Sequence, residues 1–311
     1  MEIKVIAEAM GYIFAGNQEQ EVFGIRWANS STEKDIAIAR SVWEAQETKA
    51  KIVLSDKMLW GVTKEVIFST VPLMEAARKI ADMFVREGIY ADYSKSGDFT
   101  LTEKLCQMGE NVSLGENVRL GSFSVVGSNV MIGDNAIIGE GVSIGAGSVI
   151  GNEVIIKAGA KIASPPFFYF NNKNRVNDFA GYGRVIIGDA VTVGTNTVVQ
   201  RGSFGDTIIG EQTDIGDLVI IGHDVKIGRD CRIVSQSGIA GNAVLGDKVT
   251  VMGQCGIADG VGIGNGSTIM AQSGVTKSIG NNKIVSGRYG REHYKELKMR
   301  AALCHKMQRS E

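Results

Sequence analysis

The chain is short of several residue types, and each shortage removes a class of protein. Its 311 residues hold three prolines, three histidines and four cysteines. The cysteines, Cys106, Cys231, Cys255 and Cys304, stand far apart, with none of the close pairs that hold a structural metal. The N-terminus, MEIKVIAEAMGYIFAG, carries Glu2 and Glu8 but no basic cluster, so it is not expected to act as a signal peptide. Reduced thiols serving as small apolar side chains in a cytoplasmic protein follow from both observations. No apolar run approaches the roughly 18 residues that span a membrane. A formal net charge of −1 gives no electrostatic case for a nucleic-acid partner.

What is abundant is glycine, with 40 residues, in a chain that is 44% hydrophobic. That pairing points to repeated turns around a core and not to disorder. Only six of the glycines fall in residues 1–98, which hold all three tryptophans, Trp27, Trp43 and Trp60. Here strand-like runs such as Lys51-Ile52-Val53-Leu54 alternate with helical ones, as expected of a small α/β domain. The clearest helix is 71–88, with Pro72 near its start, Leu73, Ala76, Ile80 and Phe84 at helical spacing, and Gly88 at its end.

Residues 99–287 are dominated by a repeat. Aliphatic residues recur every six positions from Leu114 to Ile162, again at Ile187, Val193 and Val199, and then unbroken from Ile209 to Val275. A period of six fits neither a helix nor a hairpin. It fits a parallel β-solenoid in which each hexapeptide is one short strand and one turn, and three hexapeptides close a triangular coil. The aliphatic side chain is expected to point inward, and the glycine after it, or sometimes an Asn or Asp, is expected to adopt the turn geometry that a β-carbon disfavours. Residues 288–311 read as an amphipathic helix carrying Arg288, Arg291, Lys295, Lys298, Arg300, Lys306 and Arg309. Such a basic tail either packs on its copies in an oligomer or docks an acidic partner.

Two interruptions break the beat. The larger, ASPPFFYFNNKNRVNDFAGYGR at 163–184, is rich in aromatics and reads either as a cover for the neighbouring coil or as a flap over a ligand. The smaller adds four residues between Val199 and Ile209, near Arg201, Ser203 and Asp206. A solenoid gains no stability from breaking its own ladder, so both suggest function. His223, the only histidine of the solenoid, follows within a few coils. A surface imidazole is usually just hydrogen-bonded, but this one adjoins Asp224, which is placed to orient it. Three hexapeptides further on, one coil above, the same corner is Gly241. A base beside an approachable backbone N–H is what acyl transfer requires. No Ser or Cys adjoins His223 in sequence, which favours direct transfer over an acyl-enzyme. A single solenoid histidine also argues against a metal centre built from several imidazoles.

Three stretches, RVIIGDAVTVGTNTVVQRGSFGDTIIG (184–210), IGDLVIIGHDVKIG (215–228) and SQSGIAGNAVLGD (235–247), resemble the UDP-3-O-(3-hydroxyacyl)glucosamine N-acyltransferases of lipid A biosynthesis. The resemblance extends to the order of parts: small domain, solenoid with a mid-solenoid insertion, helical tail. It implies a mainly β fold, a left-handed parallel β-helix of hexapeptide repeats, preceded by a uridine-binding domain and followed by a C-terminal helix. It implies a homotrimer that uses no cofactor. The acyl thioester on acyl carrier protein or coenzyme A serves as co-substrate, a UDP-amino sugar as acceptor, and the basic tail as the carrier's dock. His223 would be the general base, Asp224 its partner and Gly241 the oxyanion donor. Trp43, Arg201, Asp206, Asp217 and Gln236 would meet substrate. The departures from the family pattern are SPPFFYF in place of a Gly-Phe-Gly insertion, Gln200 in place of an aspartate, Ile215-Gly216-Asp217 in place of Ile-Asp-Asn, and Gly260 in place of a second histidine. They leave open another UDP- or dTDP-linked amino sugar, with its amine at the 3 or 4 position.

Overall fold

A computed structural model describes residues 1–17, 19–90, 100–101, 105–167 and 179–287. The expected tail helix, 288–311, and residues 168–178 of the aromatic insertion lie outside these.

The N-terminal region is an α/β unit. In chain order it comprises α1 (Ile3–Met10), β1 (Ile13–Ala15), β2 (Gly24–Trp27), β3 (Asp35–Ile38), α2 (Val42–Glu47), β4 (Ile52–Ser55), β5 (Glu65–Phe68) and α3 (Leu73–Arg86). The sheet order is β1-β5-β4-β3-β2, with β1 antiparallel to β5 and the remaining pairs parallel. Strands β3 and β4 are buried on both faces, as expected of parallel strands with covering layers. Helix α3 begins after Pro72, and the Asp56 carboxylate accepts from the Leu73 N–H at 2.9 Å. It buries Leu73, Ala76, Ile80 and Phe84, the stripe expected from sequence.

From residue 105 onward the chain is a parallel β-solenoid with three faces of two- to four-residue strands. Within regular coils each residue pairs with the one three hexapeptides on, as in Val125↔Ser143 and Ile220↔Gly238. The interruptions appear as lengthened turns of the coil. Lys161 pairs with Val198 across the large insertion, and Val198 pairs with Ile220 across the small bulge. The aliphatic positions of the beat stack into one continuous core, joined by a second inward row that includes Val219, Val225, Cys231, Ala243 and Cys255. Cys106, Cys231 and Cys255 are buried.

The structure corrects one expectation. The glycine after each aliphatic residue does not supply the left-handed turn conformation. That conformation falls two residues later, mostly on Asn, Asp or Gln, such as Asn129 (φ 59°), Asp224 (φ 59°) and Gln236 (φ 63°). Short polar side chains tolerate this region because they can hydrogen-bond locally. The glycines answer a different constraint. A β-carbon on Gly222 would lie 2.7 Å from the Gly241 backbone nitrogen of the next coil, so it is the coil spacing that excludes a side chain.

Candidate active site

All the elaborate features leave the solenoid at one corner. The large insertion follows Lys161–Ser164, the small bulge follows Val198–Gln200, His223 follows Ile220–Ile221, and Gly241 follows Gly238–Ile239. These strands are successive rungs of the same face. The winding of the coil therefore stacks on one edge what the sequence spreads from Ala163 to Gly241. The N-terminal unit packs against this corner. Phe179 and Phe204, from the insertion and the bulge, are buried in the N-terminal core, and Tyr182 packs on its margin. The Tyr182 hydroxyl donates to Asp82 on α3. Burial, and then that carboxylate, hold the Tyr182 phenol far above its ordinary range. Trp27, at the end of β2, meets Phe204 edge-on at 6.1 Å, and Arg40 Nη1 reaches Asp259 on the solenoid at 3.5 Å.

His223 lies in this seam and is only 8% exposed. It sits at a corner as expected, yet it is buried there. Its Nδ1 lies 2.8 Å from Asp224 Oδ2. Asp224 in turn is held by the bulge: Oδ2 accepts from the Ser203 N–H (2.8 Å) and Oδ1 from the Gly205 N–H (2.7 Å). The Ser203 hydroxyl also donates to Oδ2, and the Asp224 N–H donates to Thr207 Oγ1 at 2.9 Å. The extra residues of the bulge thus form a cradle for one carboxylate. Gly202 is obligatory there, because its β-carbon would sit 1.6 Å from the Gly205 carbonyl oxygen.

An ionised carboxylate only accepts, so the Nδ1 contact fixes the tautomer: the proton is on Nδ1 and the basic lone pair on Nε2. The Cε1–Nε2 edge faces Gly241. A β-carbon at Gly241 would lie 2.5 Å from both atoms, and the Gly241 N–H donates to no acceptor among the described residues. Imidazole, orienting carboxylate and unspent N–H donor therefore share one edge of the solenoid.

Ser203 was named in the sequence only as part of the bulge. Here a serine, a histidine and an aspartate are in contact, but not as a nucleophilic triad. Ser203 Oγ stands 3.5 Å from Nδ1, on the Asp224 side of the ring, and is fully buried. In a triad the nucleophile is on Nε2, opposite the carboxylate.

The other expected site residues are dispersed. Arg201 is 4% exposed and donates to the carbonyl oxygens of Ala146 (2.8 Å) and Ala163 (3.3 Å), bracing the roots of both interruptions. Asp206 takes three bonds from Arg184, at 2.8, 3.4 and 3.0 Å. Burial raises its carboxyl pKa, but the Arg184 guanidinium and N–H outweigh this and hold it below the ordinary value. Asp206 also lines a small cleft with Arg26, Ser30, Gly205, Asp224 and Lys226, behind the Asp224 carboxylate. Asp217 and Gln236 lie on another corner: Asp217 caps the Thr195 N–H at 2.7 Å, and Gln236 is one rung of a ladder with Gln254 and Gln272. Trp43 is 69% exposed on α2, whereas the tryptophan against the site is Trp27. Sequence offered no signal to prefer it, because only the β-sheet order decides which strand end meets the bulge.

Fold and corner together define a hexapeptide-repeat β-solenoid that carries an aspartate-held histidine. Comparison narrows the class. Residues 111–146 and 129–164 match the bacterial transferase hexapeptide (six repeats) family. A UDP-3-O-acylglucosamine N-acyltransferase from Sinorhizobium fredii is 53% identical over 91 residues, 29% of this chain and 26% of that protein. One from Caulobacter sp. strain K31 is 43% identical over 98 residues, 32% and 29%. The matched stretch thus spans under a third of the length of these curated relatives. Among solved structures, a UDP-N-acetylglucosamine acyltransferase from Bacteroides fragilis is similar with a TM-score of 0.54 and 25% identity, covering 65% of this chain and 78% of that one. The Campylobacter jejuni enzyme shares the fold, with a TM-score of 0.50 at 23% identity.

Proposed function

We propose that this protein is an N-acyltransferase that moves an acyl group from a thioester to the amine of a nucleotide-linked amino sugar, UDP-3-O-acylglucosamine in the first instance. The observation that carries this reading is the His223 imidazole, protonated at Nδ1 by its bond to Asp224 and edged against Gly241. The acceptor's neutral amine attacks the thioester carbonyl carbon. As the C–N bond forms, His223 Nε2 takes one amine proton, and the carbonyl oxygen gains negative charge. The Gly241 N–H is the donor for that oxyanion. Collapse of the tetrahedral intermediate breaks the C–S bond, and the imidazolium returns its proton to the departing thiolate, leaving an amide and a free thiol. Asp224 stabilises the imidazolium between the two transfers, and the covered position of His223 keeps competing water away.

The curated relatives' shared activity and the acyltransferase neighbour support this reading. It brings with it a homotrimer, an acyl carrier protein as donor with the basic tail as its dock, a uridine site on the N-terminal unit, and a cytoplasmic location. Among the described residues no helix is long and apolar enough to cross a membrane. A second reading keeps the chemistry and changes the acceptor to another UDP- or dTDP-amino sugar, with acyl-coenzyme A as an alternative donor. The departures at Gln200, Gly216, Asp217 and Gly260, set against a shared stretch of under a third of the chain, favour testing it. In a mass-spectrometric assay, candidate sugars are paired with hydroxyacyl carrier protein and with acyl-coenzymes A. Amide formation on UDP-3-O-acylglucosamine supports the first reading, amide on another sugar the second, and no amide from any pair refutes both.

A further inference from the structure

Behind the Asp224 carboxylate, where the N-terminal unit meets the bulge, the seam opens into a cleft of about 80 Å³. Arg26 and Asn29 line it from the N-terminal unit, and Gly205, Asp206, Asp224 and Lys226 from the solenoid. Its volume is far below the roughly 300–1,000 Å³ that encloses a whole small molecule, so it admits a group and not a ligand's full body. A β-carbon on Gly205 would lie 3.5 Å from Ser30 Oγ of the N-terminal unit, so a side chain there would narrow the gap.

The polar groups of the cleft are unevenly spent. Asp224 accepts from Ser203, Gly205 and His223, and Asp206 accepts from Arg184. The donors on the walls are less committed. Arg26 gives Nε to Asp35 at 3.5 Å, and its two terminal nitrogens have no partner among the described residues. Lys226 is half-buried and forms an ion pair with neither carboxylate, and its ammonium has no hydrogen-bond partner among the described residues. The Asn29 amide is unspent in the same sense. What the walls still offer is therefore two cations and an amide, one cation from each unit, while their acceptors are already taken. A sugar hydroxyl both donates and accepts. A group that only accepts, and that gains most from two cations, is an oxyanion.

We propose that this cleft is a binding site for a phosphate-class oxyanion, clamped between Arg26 of the N-terminal unit and Lys226 of the solenoid. The first source of that oxyanion rests on the nucleotide-sugar reading above. With the nucleoside on the N-terminal unit and the amine at His223, the acceptor's diphosphate has to bridge the two units, and the clamp names residues that hold it. The second source is free phosphate, which requires no nucleoside.

The test is calorimetric titration of the full chain with uridine, UDP and inorganic phosphate, with thymidine and dTDP as a parallel set. UDP should bind about tenfold or more tighter than uridine, and inorganic phosphate should compete with it. Lys226→Gln and Arg26→Gln, which remove one cation from each wall, should each weaken UDP about fivefold or more and leave uridine within about twofold. That pattern makes the diphosphate the occupant. Phosphate binding that needs both cations, with UDP no tighter than uridine, supports the site and makes free phosphate its occupant. UDP and phosphate affinities unchanged in either variant, or absent from the wild type, would overturn the clamp. If Arg26→Gln unfolds through loss of its Asp35 pair, Lys226→Gln, which breaks no side-chain bond among the described residues, decides alone. Binding needs no turnover, and the phosphate titration needs no nucleoside. A wild type inactive on every donor and acceptor therefore defeats the proposed function and leaves the clamp separately decided.

Discussion

At the corner that follows Ile233 and Val251, successive turns repeat almost unchanged, and Gln236, Gln254 and Gln272 stack amide on amide along it. At the corner that follows Val199 and Ile221, no two successive turns are alike: an insertion, a bulge, a histidine and a bare glycine follow one another up the edge. Both corners stand on the same aliphatic stack and the same six-residue beat. The difference shows what a solenoid offers a catalyst. The core fixes the spacing of the corners, so one corner can be rebuilt without disturbing the others.

The largest expected effect separates the corners by activity. His223→Ala removes the proposed base but no core contact, and turnover should fall by at least about 10²-fold with the melting temperature nearly unchanged. Near-full activity in that variant would end the assignment. The next change is smaller in atoms but touches the same edge. In Gly241→Ala the new methyl would lie 2.5 Å from the imidazole, so the ring must shift, and a rate loss of about tenfold or more should accompany only about 1–3 kcal/mol of destabilisation. Equal loss of rate and of folded protein would mean that the glycine serves the coil and not the chemistry.

Stability should divide differently. Ile221→Ala, in the stack common to all corners, should cost about 2–5 kcal/mol by denaturant titration wherever in the regular coils the equivalent change is made. The N-terminal unit carries a pH signature of its own. Tyr90 bridges the Ile25 N–H and carbonyl at 2.7 and 2.9 Å, and burial pushes its phenol up to about 12. A raised folded-state value means that stability is intact below the unfolded phenol's value, near 10, and declines as pH rises from there towards 12. Tyr90→Phe should flatten that alkaline decline in thermal melts, at a pH-independent cost of about 1–3 kcal/mol for the stranded backbone groups. The smallest effect is expected on the plain corner. Gln254→Ala breaks two rungs of an exposed ladder and should change stability by at most about 0.5 kcal/mol and activity not at all. A clear loss of turnover there would mean that substrate also uses that corner.

Much of this was legible before any coordinates. The period of six, the coil of three hexapeptides and the inward aliphatic row are local rules repeated many times, and repetition averages out the ambiguity of any single hexapeptide. The pairing of His223 with Gly241 followed from coil arithmetic alone. The turn geometry was legible only in part: Asn and Asp do take it, but a sequence shows that a glycine's β-carbon is absent and not whether φ or a neighbouring coil forbids it. Arg201 in the bulge and Asp217 on the plain corner show the same limit: a charged side chain looks like a ligand contact until its partners, the carbonyls of Ala146 and Ala163 or the Thr195 N–H, are located.

By itself the sequence determined the solenoid, its breaks, and a histidine set beside the backbone N–H of Gly241. The physical reason is that short-range packing periodicity is written directly in residue spacing. The tertiary structure alone decided that the bulge cradles Asp224, that Ser203 lies on the wrong side of the ring to be a nucleophile, and that Trp27, not Trp43, reaches the site. The first two depend on how the bulge folds back onto the next coil, and the last on how the N-terminal sheet docks against that edge. Docking is set by contacts between residues as far apart in the chain as Trp27 and Ser203, which no local pattern encodes.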